Sequence, residues 1–92
     1  MNTAIQIHVS GTLWKRGFRF YSMQKAVELG ICGTVSYGET HHEIIIHAEG
    51  EETAMEKFLH WCSIGSPSCR IKKIETEPVN FMNYTTFDIL EN

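Results

Sequence analysis

What this sequence lacks sets its first bounds. No apolar run approaches the ~18 residues a membrane-spanning helix needs. The opening Met1-Asn2-Thr3-Ala4 is not the basic-plus-apolar start of a secretory leader. Positive charge is not in excess: 8 Lys and Arg stand against 11 Asp and Glu, a formal net charge of −3. That balance gives no bulk attraction to nucleic acid or to an anionic membrane. Cysteine is sparse and unpaired. Cys32, Cys62 and Cys69 are odd in number and form no Cys-x-x-Cys motif. Reduced thiols in a cytoplasmic protein are expected, and the one pairing the spacing leaves open is Cys62 with Cys69. No repeat, low-complexity segment or linker interrupts the chain. A length of 92 residues leaves room for one domain, residues 1–92, with a small core. No set of Cys, His and carboxylate residues stands at metal-ligand spacing. His41-His42 are adjacent on a turn, where two histidines rarely chelate one ion. His8 and His47 read as packed or solvent-facing strand residues. No metal site is expected.

The patterning that is present is clear. Ile5, Ile7 and Val9 alternate with Gln6, His8 and Ser10, so residues 4–10 predict a half-buried strand. Residues 12–16 lie between Gly11 and Gly17 and read as a loop. From Phe18 to Leu29 the period becomes helical. Ser22, Ala26 and Leu29 share one face with Met23 and Val27 beside it, and Gly30 is the expected C-terminal cap. Residues 31–37 predict a second strand, 38–42 a turn and 43–49 a third strand. The consecutive Ile44, Ile45 and Ile46 suit a central strand, apolar on both faces. Acidic residues from Glu51 open a second helix, favoured by its dipole, with a stripe of Ala54 or Met55, Phe58, Leu59 and Cys62. Residues 70–77 predict a fourth strand. Ile71 and Ile74 have opposite parity there, which implies a bulge. A loop over 78–83 leads to a last strand over 84–90.

Strand, helix, strand, strand, helix, strand is the order of two split βαβ units. With right-handed crossovers it predicts an α+β, ferredoxin-like βαββαβ sandwich: an antiparallel sheet with two helices on one face. The expected core includes Ile7, Ala26, Leu29, Ile45, Phe58 and Ile74. Cys32 reads as a further small core residue.

The segment Trp14-Lys15-Arg16-Gly17-Phe18-Arg19 joins the first strand to the first helix. A helix N-terminus offers backbone N–H groups without intrahelical acceptors, together with the positive end of the dipole, so it is suited to an anion. Gly17 lets the backbone approach an oxyanion closely. Arg19, in the first turn, can present a planar fork to two phosphate or carboxylate oxygens. Lys15 and Arg16 add two charges that either strengthen anion binding or stay solvated. Phe18 reads as core, whereas Trp14 either stacks on a ligand or packs on the loop.

Phe18-Arg19, then six residues, Ala26, three residues and Gly30-Ile31-x-Gly33 form a pattern that resembles the acylphosphatase family. The family's loop reads roughly G-x-V-Q-G-V-x-F-R. Here Gly11 and the Phe-Arg end fit, while Trp14-Lys15-Arg16 stands in place of Gln-Gly-Val. The resemblance extends to Ala48-Glu49-Gly50, to Ser68-Cys69-Arg70-Ile71 after Pro67, and to Phe87-Asp88-Ile89. It implies the same ferredoxin-like fold and hydrolysis of a small acyl phosphate to carboxylate and phosphate, without metal or cofactor. It implies that Arg19 and the loop N–H groups hold the phosphate.

Two departures bear on activity. The family's cradle glycine falls on Lys15, which cannot adopt glycine-only backbone angles cheaply, so a loop of different shape is expected. The family's water-orienting asparagine falls on Tyr37. Before residue 80 the only asparagine is Asn2. The hairpin after Tyr37 is also one residue longer than the family spacing. Weak or impaired hydrolysis is therefore expected. The alternatives are a non-catalytic phosphate- or anion-binding module and a protein-interaction domain of the same fold. RNA binding is disfavoured by the acidic balance and by the lack of an aromatic pair on a central strand.

Overall fold

The computed structural model describes residues 1–91. The elements are β1 (Asn2–Thr12), α1 (Phe18–Leu29), β2 (Cys32–Tyr37), β3 (Glu43–Glu51), α2 (Glu52–Ile64), β4 (Arg70–Pro78) and β5 (Phe87–Ile89). The strands form one sheet in the order β4-β1-β3-β2-β5. The first four pair antiparallel, as expected for a ferredoxin-like sandwich. β5 instead runs parallel to β2, so the sheet is mixed rather than antiparallel throughout. No helix among the described residues is long and apolar enough to cross a membrane.

Alternation along the strands places Ile7, Val9, Val35, Ile44 and Ile46 on the buried face, where α1 and α2 cover them. The helices contribute Phe18, Ser22 and Ala26 from α1, and Met55, Phe58 and Cys62 from α2. Phe58 of α2 meets Phe87 of β5 edge-on at 6.1 Å across the layers, and Phe18 of α1 lies 5.3 Å from Trp61 of α2. Leu29 and Ile74 are half-buried and pack against this cluster. Ile45 does not belong to it. Being between Ile44 and Ile46, it points to the open face, half-buried opposite His8 and Ser36. Cys32 is likewise half-buried on β2 rather than central to the core. Val27 is exposed because it sits ~200° around the helix from Leu29.

The expected β4 bulge is present. Between the pairs Ser10↔Lys73 and Gly11↔Ile71, β4 uses one residue more than β1, and the extra residue is Lys72. That insertion restores Ile71 and Ile74 to one face, where both pack against the core. Gly30 ends α1 as expected. Its N–H donates to the Val27 carbonyl at 3.2 Å, and the Ile31 N–H donates to the Ala26 carbonyl at 2.8 Å.

The last strand is shorter than the pattern over 84–90 predicts, for a reason centred on Glu49. Its buried carboxylate accepts the N–H of Tyr84 at 3.0 Å and also the N–H of Met82. Asn83 between them is left-handed, with φ 61°. The carboxylate thus holds the segment as a loop, and pairing with β2 begins only at Phe87.

On the open face, His8 Nε2 lies 2.7 Å from Glu43 Oε1, and His8 Nδ1 lies 3.7 Å from Glu75 Oε1. All three cysteines are free thiols. Burial pushes the Cys62 thiol far above the ordinary range, so it stays protonated and inert. Mild alkylation of the native chain should label Cys32 and Cys69 well before Cys62, as peptide mass spectrometry would show. Early labelling of Cys62 would mean that α2 does not pack as described.

Candidate functional site

β1 ends at Thr12, and the chain turns through residues 13–17 into α1. Leu13, 1% exposed, anchors the start of the turn in the core, and Phe18, also 1% exposed, anchors its end. Between these two fixed points the chain has to reverse tightly. The Arg16 N–H donates to the Leu13 carbonyl at 3.3 Å. The Arg16 carbonyl accepts the hydroxyls of Ser66 at 3.0 Å and Ser68 at 3.3 Å, which ties the loop to the segment after α2.

Two left-handed residues make the reversal. Gly17, the N-cap of α1, has φ 78° and ψ 7°. With no side-chain cap bond there, the helix mouth is built from backbone alone. Lys15 has φ 56°. This is the left-handed region, which a residue with a Cβ can enter and which is not reserved for glycine. The lysine adopts it, at a cost of about 1–2 kcal/mol for a residue with a Cβ, because the anchors on either side fix the path of the chain.

Tyr37 closes the other side of the loop. It is the last residue of β2, next to β3 in the middle of the sheet, and its side chain is 9% exposed. Its Oη accepts the Lys15 backbone N–H at a long 3.4 Å. The Arg19 guanidinium lies over its ring, 4.3 Å from the centroid. Arg19 is half-buried, while Lys15 and Arg16 are exposed. Among the described residues no carboxylate pairs with any of these three cations. Among the described residues the positive charge at the helix mouth thus has no carboxylate within ion-pair distance.

The resulting cleft has a volume of about 320 Å³. Trp14, Lys15, Gly17, Phe18, Arg19 and Tyr37 line it together with Phe20, Ile89 and Glu91. Five of the six residues named from the sequence as a phosphate loop thus face one space. Arg16 instead serves the loop through its carbonyl, and its backbone fixes the turn.

Several contributors were not evident from the sequence. His41 stacks on Trp14, with ring centroids 3.6 Å apart and planes 8° from parallel, and meets the Tyr37 ring edge-on at 5.2 Å. It drew notice only as half of a His-His pair. The extra residue in the β2–β3 hairpin was the available signal that this turn reaches the loop. Phe20 carries no distinguishing signal in the sequence, and Ile89 and Glu91 arrive only through the pairing of β5 with β2. No group of three or more His, Cys, Asp or Glu residues that could hold a metal ion occurs among the described residues.

A half-buried guanidinium, a helix N-terminus and a glycine-capped turn in one cleft are suited to holding a tetrahedral anion. Comparisons with known proteins identify the family. The acylphosphatase family model matches residues 5–89. The acylphosphatase of Archaeoglobus fulgidus is 34% identical over 86 residues, covering 94% of this chain and 96% of that protein. The acylphosphatase of Pseudothermotoga lettingae is 34% identical over 87 residues, covering 95% and 97%. The crystal structure of acylphosphatase from Bacillus subtilis superposes with a TM-score of 0.91 at 25% identity, covering 99% of this chain and all of that one. Family match, relatives and fold lead to one conclusion: this chain belongs to the acylphosphatase family.

Proposed function

We propose that the chain binds the phosphoryl group of a small acyl phosphate at residues 14–19 and hydrolyses it slowly to carboxylate and phosphate. The Arg19 fork takes two non-bridging oxygens, and the N–H groups at the helix mouth take the third. A water attacks phosphorus opposite the acyl oxygen. The new P–O bond forms from the water, the bond from phosphorus to the acyl oxygen breaks, and its electron pair leaves with the carboxylate. The water's protons end on phosphate or in solvent. A carboxylate is a weak base and leaves without a proton donor. What the site has to supply is charge stabilisation and a placed water.

The observation that carries the reading is Tyr37. Its hydroxyl takes the Lys15 N–H, and its ring underlies Arg19. One side chain thus touches both parts of the phosphate cradle from the position where the family resemblance places asparagine. A short amide that could both accept from and donate to water is absent there, and a long ring fills the space instead. This supports anion binding with poor water placement. The same observation favours a second reading, in which the site binds phosphate without turning anything over. The free thiols support a reducing, cytoplasmic setting.

Titration of the isotope-labelled chain with inorganic phosphate tests the binding half. The amides of Lys15 to Arg19 should shift first, and Arg19→Ala should weaken binding by about tenfold or more. If affinity is unchanged in Arg19→Ala, the anion site lies elsewhere.

A further inference from the structure

The cleft around Arg19 is larger and more apolar than a phosphoryl group requires. Much of its lining carries rings or branched chains: Trp14, Phe18, Phe20, Tyr37 and Ile89. Phe18 and Tyr37 are buried. Trp14 and Phe20 are 42% and 49% exposed, which leaves two aromatic surfaces in water beside the anion site. The Trp14 indole is not a free rotor. It lies flat against His41, so its orientation is set before a ligand arrives, and a preset surface binds at lower entropic cost. Phe20 follows Arg19 on the first turn of α1, and its ring meets Tyr21 edge-on at 5.6 Å. Both rings line the same cleft as Arg19, and the Lys15 ammonium also lies over the Trp14 ring, 5.3 Å from its centroid. Glu91, the one acidic residue lining the cleft among the described residues, acts against an acyl group that carries a second negative charge.

We propose that the acyl group recognised here is uncharged and ring-bearing, packed against Phe20 and Trp14. This assignment of substrate class rests on the phosphate-binding reading of Arg19. Burying one ring against an aromatic wall beside a fixed anion contact is worth about tenfold in affinity. Phe20 does not touch the phosphoryl group in this arrangement, so its removal should alter selectivity rather than anion binding.

The test uses non-hydrolysable phosphonates in which a methylene replaces the bridging oxygen, together with inorganic phosphate. Phenacylphosphonate carries a phenyl ketone, and acetonylphosphonate carries a methyl ketone in its place. In the full chain the phenyl compound should bind about tenfold more tightly than the methyl compound. Phe20→Ala should remove most of that preference by weakening phenacylphosphonate far more than acetonylphosphonate or phosphate, and Phe20→Leu should keep part of it. Equal affinity for the two phosphonates in the wild-type chain would overturn the inference while leaving the anion site standing. A parallel loss of all three ligands in Phe20→Ala would do the same. Phosphate binding that does not depend on Arg19 would overturn both.

Discussion

Replacing Tyr37 with asparagine is expected to raise kcat for acyl phosphate hydrolysis by about one to two decades while changing KM less. The reasoning runs through two contacts. In the native chain the tyrosine hydroxyl takes the Lys15 N–H, and the ring supports the Arg19 guanidinium. Asparagine is shorter. It would release that N–H to the phosphate and leave room for a water beside its amide. A positioned polar group that acts mainly in the transition state is worth about 3–4 kcal/mol, or two to three decades. The gain should fall short of that ceiling for two reasons. Arg19 loses the ring beneath it, and Lys15 with Arg16 keep the loop unlike the family pattern. Steady-state kinetics separates the terms: a change mainly in KM would mean that Tyr37 governs binding rather than water placement.

Gly33→Ala is expected to cost at least about 3 kcal/mol of folding stability. Gly33 has φ 151°, and a Cβ built on it would lie 1.7 Å from the His47 carbonyl oxygen. That oxygen belongs to the adjacent strand β3, where Gly33 pairs with Ala48. The clash is with backbone, so it can be relieved only by parting β2 from β3. Gly33 also donates its N–H to the Thr86 carbonyl at 2.8 Å, which brings in the segment leading to β5. Because β2 carries Tyr37 and β5 carries Ile89, the cleft should loosen along with the sheet. Urea unfolding of the two proteins measures the loss. A difference below about 1 kcal/mol would show that the strands accommodate the methyl group and that the close approach is not required.

The fold was legible because its signals were local. The alternation of Ile5, Ile7 and Val9, the stripe through Ser22 and Ala26, and Gly30 as a cap each follow from chain geometry within a few residues. Even the β4 bulge could be read from the parity of Ile71 and Ile74. What was not legible depended on partners distant in sequence. Ile45 looks the same as Ile44 and Ile46, and only the register against His8 and Ser36 places it on the open face. The truncation of the last strand depends on a carboxylate 35 residues away from Tyr84. The direction of β5 follows from pairing with β2, which no short pattern encodes. In the site, Arg19 and the loop could be named from spacing, because a helix mouth is a local object. His41 could not, since it enters through stacking on Trp14 across a hairpin. Nor could the left-handed Lys15, whose conformation is imposed by the buried Leu13 and Phe18 on either side.

The separation of anion binding from water placement is tested most directly by assaying wild-type, Arg19→Ala and Tyr37→Phe chains with one acyl phosphate under the same conditions. The wild-type chain should turn over slowly and Arg19→Ala more slowly still. Tyr37→Phe should equal or exceed the wild-type rate, because removing the hydroxyl frees the Lys15 N–H and takes away nothing that guides the water. Brisk wild-type turnover that collapses in Tyr37→Phe would contradict this account, since the tyrosine hydroxyl would then be the group that positions the attacking water.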